Sequence, residues 1–264
     1  MKKARIAVIG AGWWGTKGHI EPLSHEPQAE LVAIYSRTEE KARQRAGQHG
    51  IGRYYTDYRR LIDECALDGV VIATTPNVHY EQARYALERG LHVLVEKPFV
   101  LQAAQADELG RLAREQGRIL SVCHPLLYQP VMALARQRLR DELGRILVVS
   151  ASFAQRVLDL YRGDVPAMFR WVRDKEYPLP NAASYADPAI AGGGEGHTQA
   201  SHVIGAVLWM TGLAPQSVFA YMDPLDTALD VVDAMAVRFT SGALGTITAN
   251  GALPGGVYAN RMHF

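Results

Sequence analysis

Only two cysteines, Cys65 and Cys123, occur in the 264 residues of this sequence. Two thiols are too few for a disulfide framework, and they read as buried thiols in a reducing compartment. Long apolar runs are also missing: no stretch approaches the roughly 20 residues that a membrane span needs. The opening MKKARIAVIGAGWWG has an apolar core of only Ile6 to Ile9 before glycines intervene. A secretion signal needs a core of roughly 7–15 residues. The chain is therefore expected in the cytoplasm, with no membrane partner. An excess of one charge is absent too, since 28 Lys and Arg stand against 27 Asp and Glu with no basic run. That gives no electrostatic footprint for nucleic acid. What remains is a globular composition, 48% hydrophobic and 21% charged, without repeats or low-complexity segments. It has the length of one large or two modest domains.

Short apolar, β-branched runs recur in the first half: 4–9 (ARIAVI), 30–35 (ELVAIY), 68–73 (DGVVIA), 91–95 (LHVLV) and 118–123 (RILSVC). Nearly continuous apolar strands suit a parallel sheet covered on both faces. Helical stretches lie between them at 38–50, 77–90 and 101–117, the first two with Thr38 and Asn77 as expected N-caps and Gly50 and Gly90 as stops. The alternation predicts a doubly wound sheet over 1–124. Beyond it the pattern changes to a helix at 131–144, a strand at 144–153, a long Pro-containing stretch at 154–191, a helix to about Met210 and strands at 216–221, 229–240 and 243–250. The fold class expected is thus α/β: an N-terminal Rossmann domain, then an α+β domain over 125–264 on a mostly antiparallel open sheet. The final YANRMHF reads as the middle of a strand, as in a fragment or a shortened homologue.

The IAVIGAGWWGTKGH stretch sets Gly10, Gly12 and Gly15 in G-x-G-x-x-G spacing directly after the first strand. In that spacing the first glycine allows a tight turn, the second lets a pyrophosphate approach, and the third permits close helix–strand packing. Trp13 and Trp14 are expected to cover the nucleotide. At the end of the second strand an NAD site usually has a carboxylate for the ribose. Here stand Ser36 and Arg37, which bond a 2′-phosphate instead. NADP is the expected cofactor, with NAD the alternative.

Thr74, Thr75, Pro76 and Asn77 follow the next strand, at the sheet edge where open α/β sheets bind ligands. His79 is grouped with them, with packing at the helix start as its other reading. Glu96, Lys97 and Pro98 follow the adjacent strand at the same edge. A lysine ammonium there bonds a substrate hydroxyl and, with a lowered pKa, accepts its proton.

GAGWWG (10–15), TPNVHYEQARYALERGLHVLVEKP (75–98) and the GGG run at 192–194 together resemble the Gfo/Idh/MocA oxidoreductases, which include glucose–fructose oxidoreductase and inositol dehydrogenase. The resemblance implies hydride transfer between a nicotinamide and a sugar, polyol or related carbonyl. It also implies a C-terminal sheet that mediates homo-oligomers. In that family the glycine run is commonly followed by Asp and, four residues on, by His, which join the E-K-P lysine as the catalytic group. Counted from Gly192, those positions are Thr198 and His202, on one helical face. His202 matches; Thr198 bonds a hydroxyl but does not ionise. Lys97 and His202 are therefore the expected catalytic residues, facing each other across the crevice between domains. Thr198, Gln199, His124 and Tyr128 are the expected substrate contacts. Arg156, Tyr161, Arg170, Trp171 and Arg173 are softer candidates for sugar contacts. No metal site is expected, because His197 and His202 are five apart and share no helical face. Two alternatives stand beside a simple dehydrogenase: redox-assisted glycoside cleavage, and a cofactor-binding regulator that no longer catalyses.

Overall fold

The structure is a computed structural model of the chain, and it describes residues 2–170, 179–255 and 257–264. The chain divides into two compact units; of the described residues, the first takes those up to Cys123 together with Leu179 and Pro180, and the second takes the rest.

The first unit is built on six parallel strands: β1 (Ala4–Ile9), β2 (Ala29–Tyr35), β3 (Arg53–Tyr55), β4 (Gly69–Ile72), β5 (His92–Glu96) and β6 (Leu120–Cys123). Their order in the sheet is β3-β2-β1-β4-β5-β6, which is that of a dinucleotide-binding Rossmann sheet. The continuous apolar runs follow from burial on both faces. Ala7 and Ile9 of β1, with Val70 and Ile72 of β4, enter one core. Val8 and Val71, one residue out of phase, enter the other. Helices α1 (Glu21–His25) and α2 (Glu39–Gln48) lie in the connections around β2, and Ile20 and Ala46 pack in the second core. Helices α3 (Tyr58–Glu64), α4 (Pro76–Glu88) and α5 (Ala103–Glu115) bring Leu61, Ala83, Leu87 and Leu109 to the first.

Two elements were not visible as sequence patterns. Strand β3 has only three residues, and α3 begins at Asp57, whose carboxylate accepts from the N–H groups of Arg59 and Arg60. One cap is corrected. Helix α4 starts at Pro76 with Thr75 as its N-cap, so Asn77 lies inside the first turn. Proline is favoured there because its fixed φ suits the helix and its missing N–H has no partner to lose. Gly50 and Gly90 do stop their helices in the left-handed conformation, at φ 65° and 71°.

The second unit holds β7 (Val148–Ala154), β8 (Pro215–Asp223), β9 (Val232–Phe239), β10 (Leu244–Asn250) and β11 (Ala259–His263), ordered β11-β7-β10-β9-β8. All neighbours are antiparallel except β7 and β10. Helix α6 (Pro130–Asp141) precedes this sheet. Among the described residues the aperiodic stretch contains four short helices, α7 (Leu158–Tyr161), α8 (Val165–Phe169), α9 (Ala183–Ala186) and α10 (Pro188–Ala191). The glycine run then leads into α11 (Glu195–Thr198) and α12 (Ala200–Thr211). Alternate residues Val149, Ala151 and Phe153 of β7, with Val237, Phe239 and Ile247, pack against Val203 and Val207 of α12. Among the described residues no helix is long and apolar enough to cross a membrane.

Candidate functional site

The strand order of the first sheet reverses between β1 and β4, the place where such sheets bind ligands. Gly10 has φ 122°, and a Cβ on it would stand 2.5 Å from the Ala73 carbonyl oxygen. A Cβ on Gly15 would overlap the Gly10 carbonyl oxygen. Packing therefore dictates both glycines. Gly12 is different: a Cβ there would meet nothing within 4 Å. The space it leaves is what a pyrophosphate needs to reach the backbone, so the loop fits a dinucleotide. From the loop the chain enters a π-helical stretch, Gly15–Ile20, anchored by the Thr16 amide and hydroxyl, which both donate to the Gly12 carbonyl at 2.9 and 2.8 Å.

At the end of β2, Ser36 is buried and its N–H donates to the Tyr55 carbonyl, while Arg37 is exposed. After β4, the Thr74 hydroxyl donates to Gln82 Oε1 at 2.6 Å, and Asn77 is exposed. His79 is 1% exposed. Its Nδ1 lies 2.9 Å from the Pro98 carbonyl and its Nε2 3.1 Å from that of Thr74. Burial lowers its pKa against the pull of those carbonyls. The ring is a brace between the turn after β4 and the turn after β5.

Glu96 is the hub of that second turn. It is 5% exposed. Its Oε1 accepts from the Trp14 indole at 2.7 Å and from His19 Nε2 at 2.8 Å. Its Oε2 accepts from the Lys97 backbone N–H at 3.0 Å. Burial pushes its pKa up, but hydrogen bonds from His19 and Trp14, and the charges of His19 and Lys97, outweigh this and hold it below the ordinary carboxyl value. Cys123 is register partner of Glu96 across β5 and β6. Burial and then the Glu96 charge push its thiol up to about 12. His19, Glu96 and Cys123 bring ligand-type N, O and S atoms within 4.8 Å of one another, a grouping that sequence spacing does not reveal. Protein donors already meet both carboxylate oxygens. The Lys97–Pro98 peptide is cis. Lys97 itself is half-buried.

The glycine run has a different task. Asp230 clamps it: its Oδ1 accepts from Gly194 N at 2.8 Å, its Oδ2 from Gly196 N at 2.7 Å, and its carbonyl from Glu195 N at 2.8 Å. A Cβ on Gly194 would overlap that same carbonyl oxygen. These three amides are engaged by the protein's own aspartate, so the run is an internal clamp rather than a phosphate loop. Below it Asp233 is 1% exposed, and desolvation, then Asp230, push it up to about 7. Burial lowers the pKa of His197, with Asp230 opposing.

Thr198 turns inward. Its hydroxyl donates to the Gly194 carbonyl at 2.7 Å and lies 2.7 Å from the Tyr161 hydroxyl, which also donates to Glu195 Oε2 at 3.2 Å. Tyr161 is 2% exposed, and its pKa is raised well above the usual value by burial and then by Glu195. Its expected sugar contact is thereby corrected: the hydroxyl serves this buried network. His202, on α12, stacks on Phe153 of β7 and meets His124 edge-on, both at 5.8 Å between ring centroids. The structure thus brings together two residues that the sequence reading named separately. Gln199 occupies the N-cap position of α12. Tyr128 is 72% exposed. Arg156 pairs with Asp159 at 2.6 Å, and Arg170 is exposed. Trp171 and Arg173 lie outside the described residues. Missed by sequence reasoning were His19, Asp230 and Asp233. His19 carries a weak signal, four residues after the last loop glycine; Asp230, which holds the glycine run, and Asp233 beside it lie more than 30 residues from that run.

Comparison with known proteins agrees with this architecture. Residues 4–124 match the model of the oxidoreductase family with an NAD-binding Rossmann fold, and residues 132–264 match the GFO/IDH/MocA C-terminal domain. The scyllo-inositol 2-dehydrogenase (NADP(+)) IolU of Bacillus subtilis is 32% identical over 105 residues, 40% of this chain and 32% of that protein. The D-xylose 1-dehydrogenase (NADP(+)) 2 of Haloferax volcanii is 37% identical over 103 residues, 39% of this chain and 30% of the relative. These matches span about a third of each relative's length. The crystal structure of an oxidoreductase domain protein from Kribbella flavida superposes with a TM-score of 0.84 at 25% identity, covering 99% of this chain and 71% of that one. With both family models matched in succession, the chain belongs to the Gfo/Idh/MocA family of oxidoreductases.

Proposed function

We propose that the protein is a nicotinamide-dependent dehydrogenase or reductase acting on a secondary alcohol or carbonyl of a sugar or polyol. The observation that carries this reading is the buried Glu96 hub, which ties the Lys97 backbone to Trp14 of the glycine loop. Gly10, Gly12 and Gly15 form the pyrophosphate turn, with residues 1–124 as the dinucleotide domain and 125–264 as the substrate and oligomerisation domain. Ser36 and the exposed Arg37 favour NADP over NAD, since a guanidinium bonds a 2′-phosphate. Thr74, Thr75, Pro76 and Asn77 edge the nicotinamide side, Trp13 and Trp14 cover the loop, and His79 braces the turn behind it. A bound nicotinamide supplies the hydride acceptor or donor. The protein supplies position and proton transfer. Lys97 Nζ takes the substrate hydroxyl proton in oxidation and returns it in reduction, and His202 is the second residue assigned to catalysis. Thr198 shapes the substrate side through its buried bonds, and Gln199, His124 and Tyr128 complete it.

The sugar or polyol class is that of the named relatives. The two-sided exposure of β8, with Val218, Phe219, Tyr221 and Met222 in solvent, supports a homo-oligomer through the second sheet. The balanced charge and scarce cysteines support a cytoplasmic location. The test is Lys97→Ala, assayed with NADP+ and scyllo-inositol, myo-inositol or D-xylose. Turnover falls at least about a hundredfold while NADPH affinity changes little, as expected for loss of proton transfer. Equal losses of both refute the assignment. A second reading, a cofactor-binding regulator, is favoured by the inward-turned Thr198; it predicts cofactor binding with no turnover on any sugar.

A further inference from the structure

The Glu96 carboxylate only accepts hydrogen bonds when ionised, so His19 Nε2, 2.8 Å away, carries the proton of that contact. His19 is 7% exposed and belongs to the π-helical stretch that follows the glycine loop. The other oxygen of the same carboxylate holds the Lys97 N–H. Next to Lys97 stands Pro98, which has no N–H to offer. The Glu96 contact is therefore a polar anchor of the turn at the Lys97 amide. His79 braces the far side through Pro98 and Phe99.

We propose that His19 is a positioning residue for Lys97: by holding Glu96 in one rotamer, it fixes the backbone that carries the Lys97 ammonium relative to the glycine loop. Trp14 donates to the same Oε1, so the loop and the lysine turn are joined through one carboxylate. Removing the His19 donor takes away one of the two ring N–H donors to Oε1 in a buried site. A buried ionised group is costly there unless its acceptors are met, and Glu96 then moves or protonates. Either outcome loosens the bond to the Lys97 amide. The catalytic weight of this inference rests on the reading of Lys97 as the proton-transfer group; the bracing of the turn does not.

The experiment compares His19→Leu and His19→Gln with the parent chain, using two readouts. The first is amide hydrogen exchange at Lys97, resolved by fragmentation mass spectrometry, which needs no substrate. His19→Leu speeds exchange about tenfold, the loss of one hydrogen bond to a charged group, and His19→Gln, whose amide N–H replaces the lost donor, restores it. The second is turnover with NADP+ and the same three polyol and sugar probes, beside the NADPH dissociation constant. His19→Leu lowers turnover on the order of tenfold with NADPH affinity within about threefold, and His19→Gln recovers most of it. Unchanged exchange at Lys97 in His19→Leu overturns the bracing. Faster exchange with unchanged turnover overturns the positioning role, and so does failure of the glutamine to restore either readout. If Lys97→Ala retains turnover, the catalytic reading of Lys97 falls by itself, and the exchange result still decides whether His19 braces the turn.

Discussion

Asp233 offers a stability prediction with a definite sign. It lies on the inner side of β9, 1% exposed, with the Asp230 carboxylate beside it and no donor to either oxygen among the described residues. Its pKa rises from 3.8 to about 7, through desolvation first and then Asp230. In the unfolded chain the group ionises near the lower value; in the native protein it keeps its proton up to the higher one. The native state therefore binds more protons across this window. The resulting stability is full below the unfolded pKa and is lost as pH rises through about 7. About 3 units at ~1.4 kcal/mol each set a ceiling near 4 kcal/mol, and local relaxation around the ionised pair brings the expected effect to about 2 kcal/mol. Asp233→Asn is neutral at every pH. Relative to the parent it gains about 2 kcal/mol between pH 4 and pH 8, whatever constant offset the amide brings. Urea unfolding followed by circular dichroism, with parent and variant compared at each pH, reads the difference directly. A difference that stays flat across the window refutes the buried-proton account.

Other expectations follow from single atoms. Gly12→Ala meets open space, so it leaves the melting temperature within about 2 °C of the parent, yet weakens NADPH binding at least about tenfold in a fluorescence titration by obstructing the pyrophosphate. Gly194→Ala behaves oppositely: its Cβ overlaps the Asp230 carbonyl, and unfolding measurements show a loss above about 2 kcal/mol. Arg37→Asp, at an exposed position, leaves stability unchanged and shifts the NADPH-to-NADH affinity ratio toward NADH by at least about tenfold, because a carboxylate repels the 2′-phosphate.

The parallel sheet was legible because its strands are buried on both faces, so Val8 and Val71 are as apolar as Ala7 and Val70 on the opposite side. A pattern of that kind survives in one dimension. Strand β3 and helix α3 did not, because three residues carry no period and the helix start depends on one aspartate. The three loop glycines looked alike in sequence. Only coordinates separate Gly10 and Gly15, required by neighbouring backbone, from Gly12, whose space the protein leaves open.

The GGGEGHTQASH run marks the limit more sharply. In the sequence its glycines carried a family resemblance, and Thr198 stood out as a departure from the family pattern. What approaches the glycines is Asp230, 34 residues from Gly196 and 36 from Gly194. No local spacing encodes such a pair, because the contact is made by the loop between β8 and β9, far along the chain. The missing carboxylate at Thr198 is also reinterpreted by its surroundings. Its hydroxyl ties the Gly194 carbonyl to Tyr161, and Tyr161 ties it to Glu195, so the turn that begins α11 is held from below by Asp230 and from within by this chain of bonds. A threonine suits that place because a carboxylate there would stand against Glu195, itself fully buried. Restoring the family's aspartate with Thr198→Asp therefore sets two carboxyl groups against one tyrosine. The variant loses stability as pH rises, the opposite of a gain in activity from a recovered catalytic acid, and parallel measurements of turnover and urea midpoint at pH 6 and 8 separate the two outcomes.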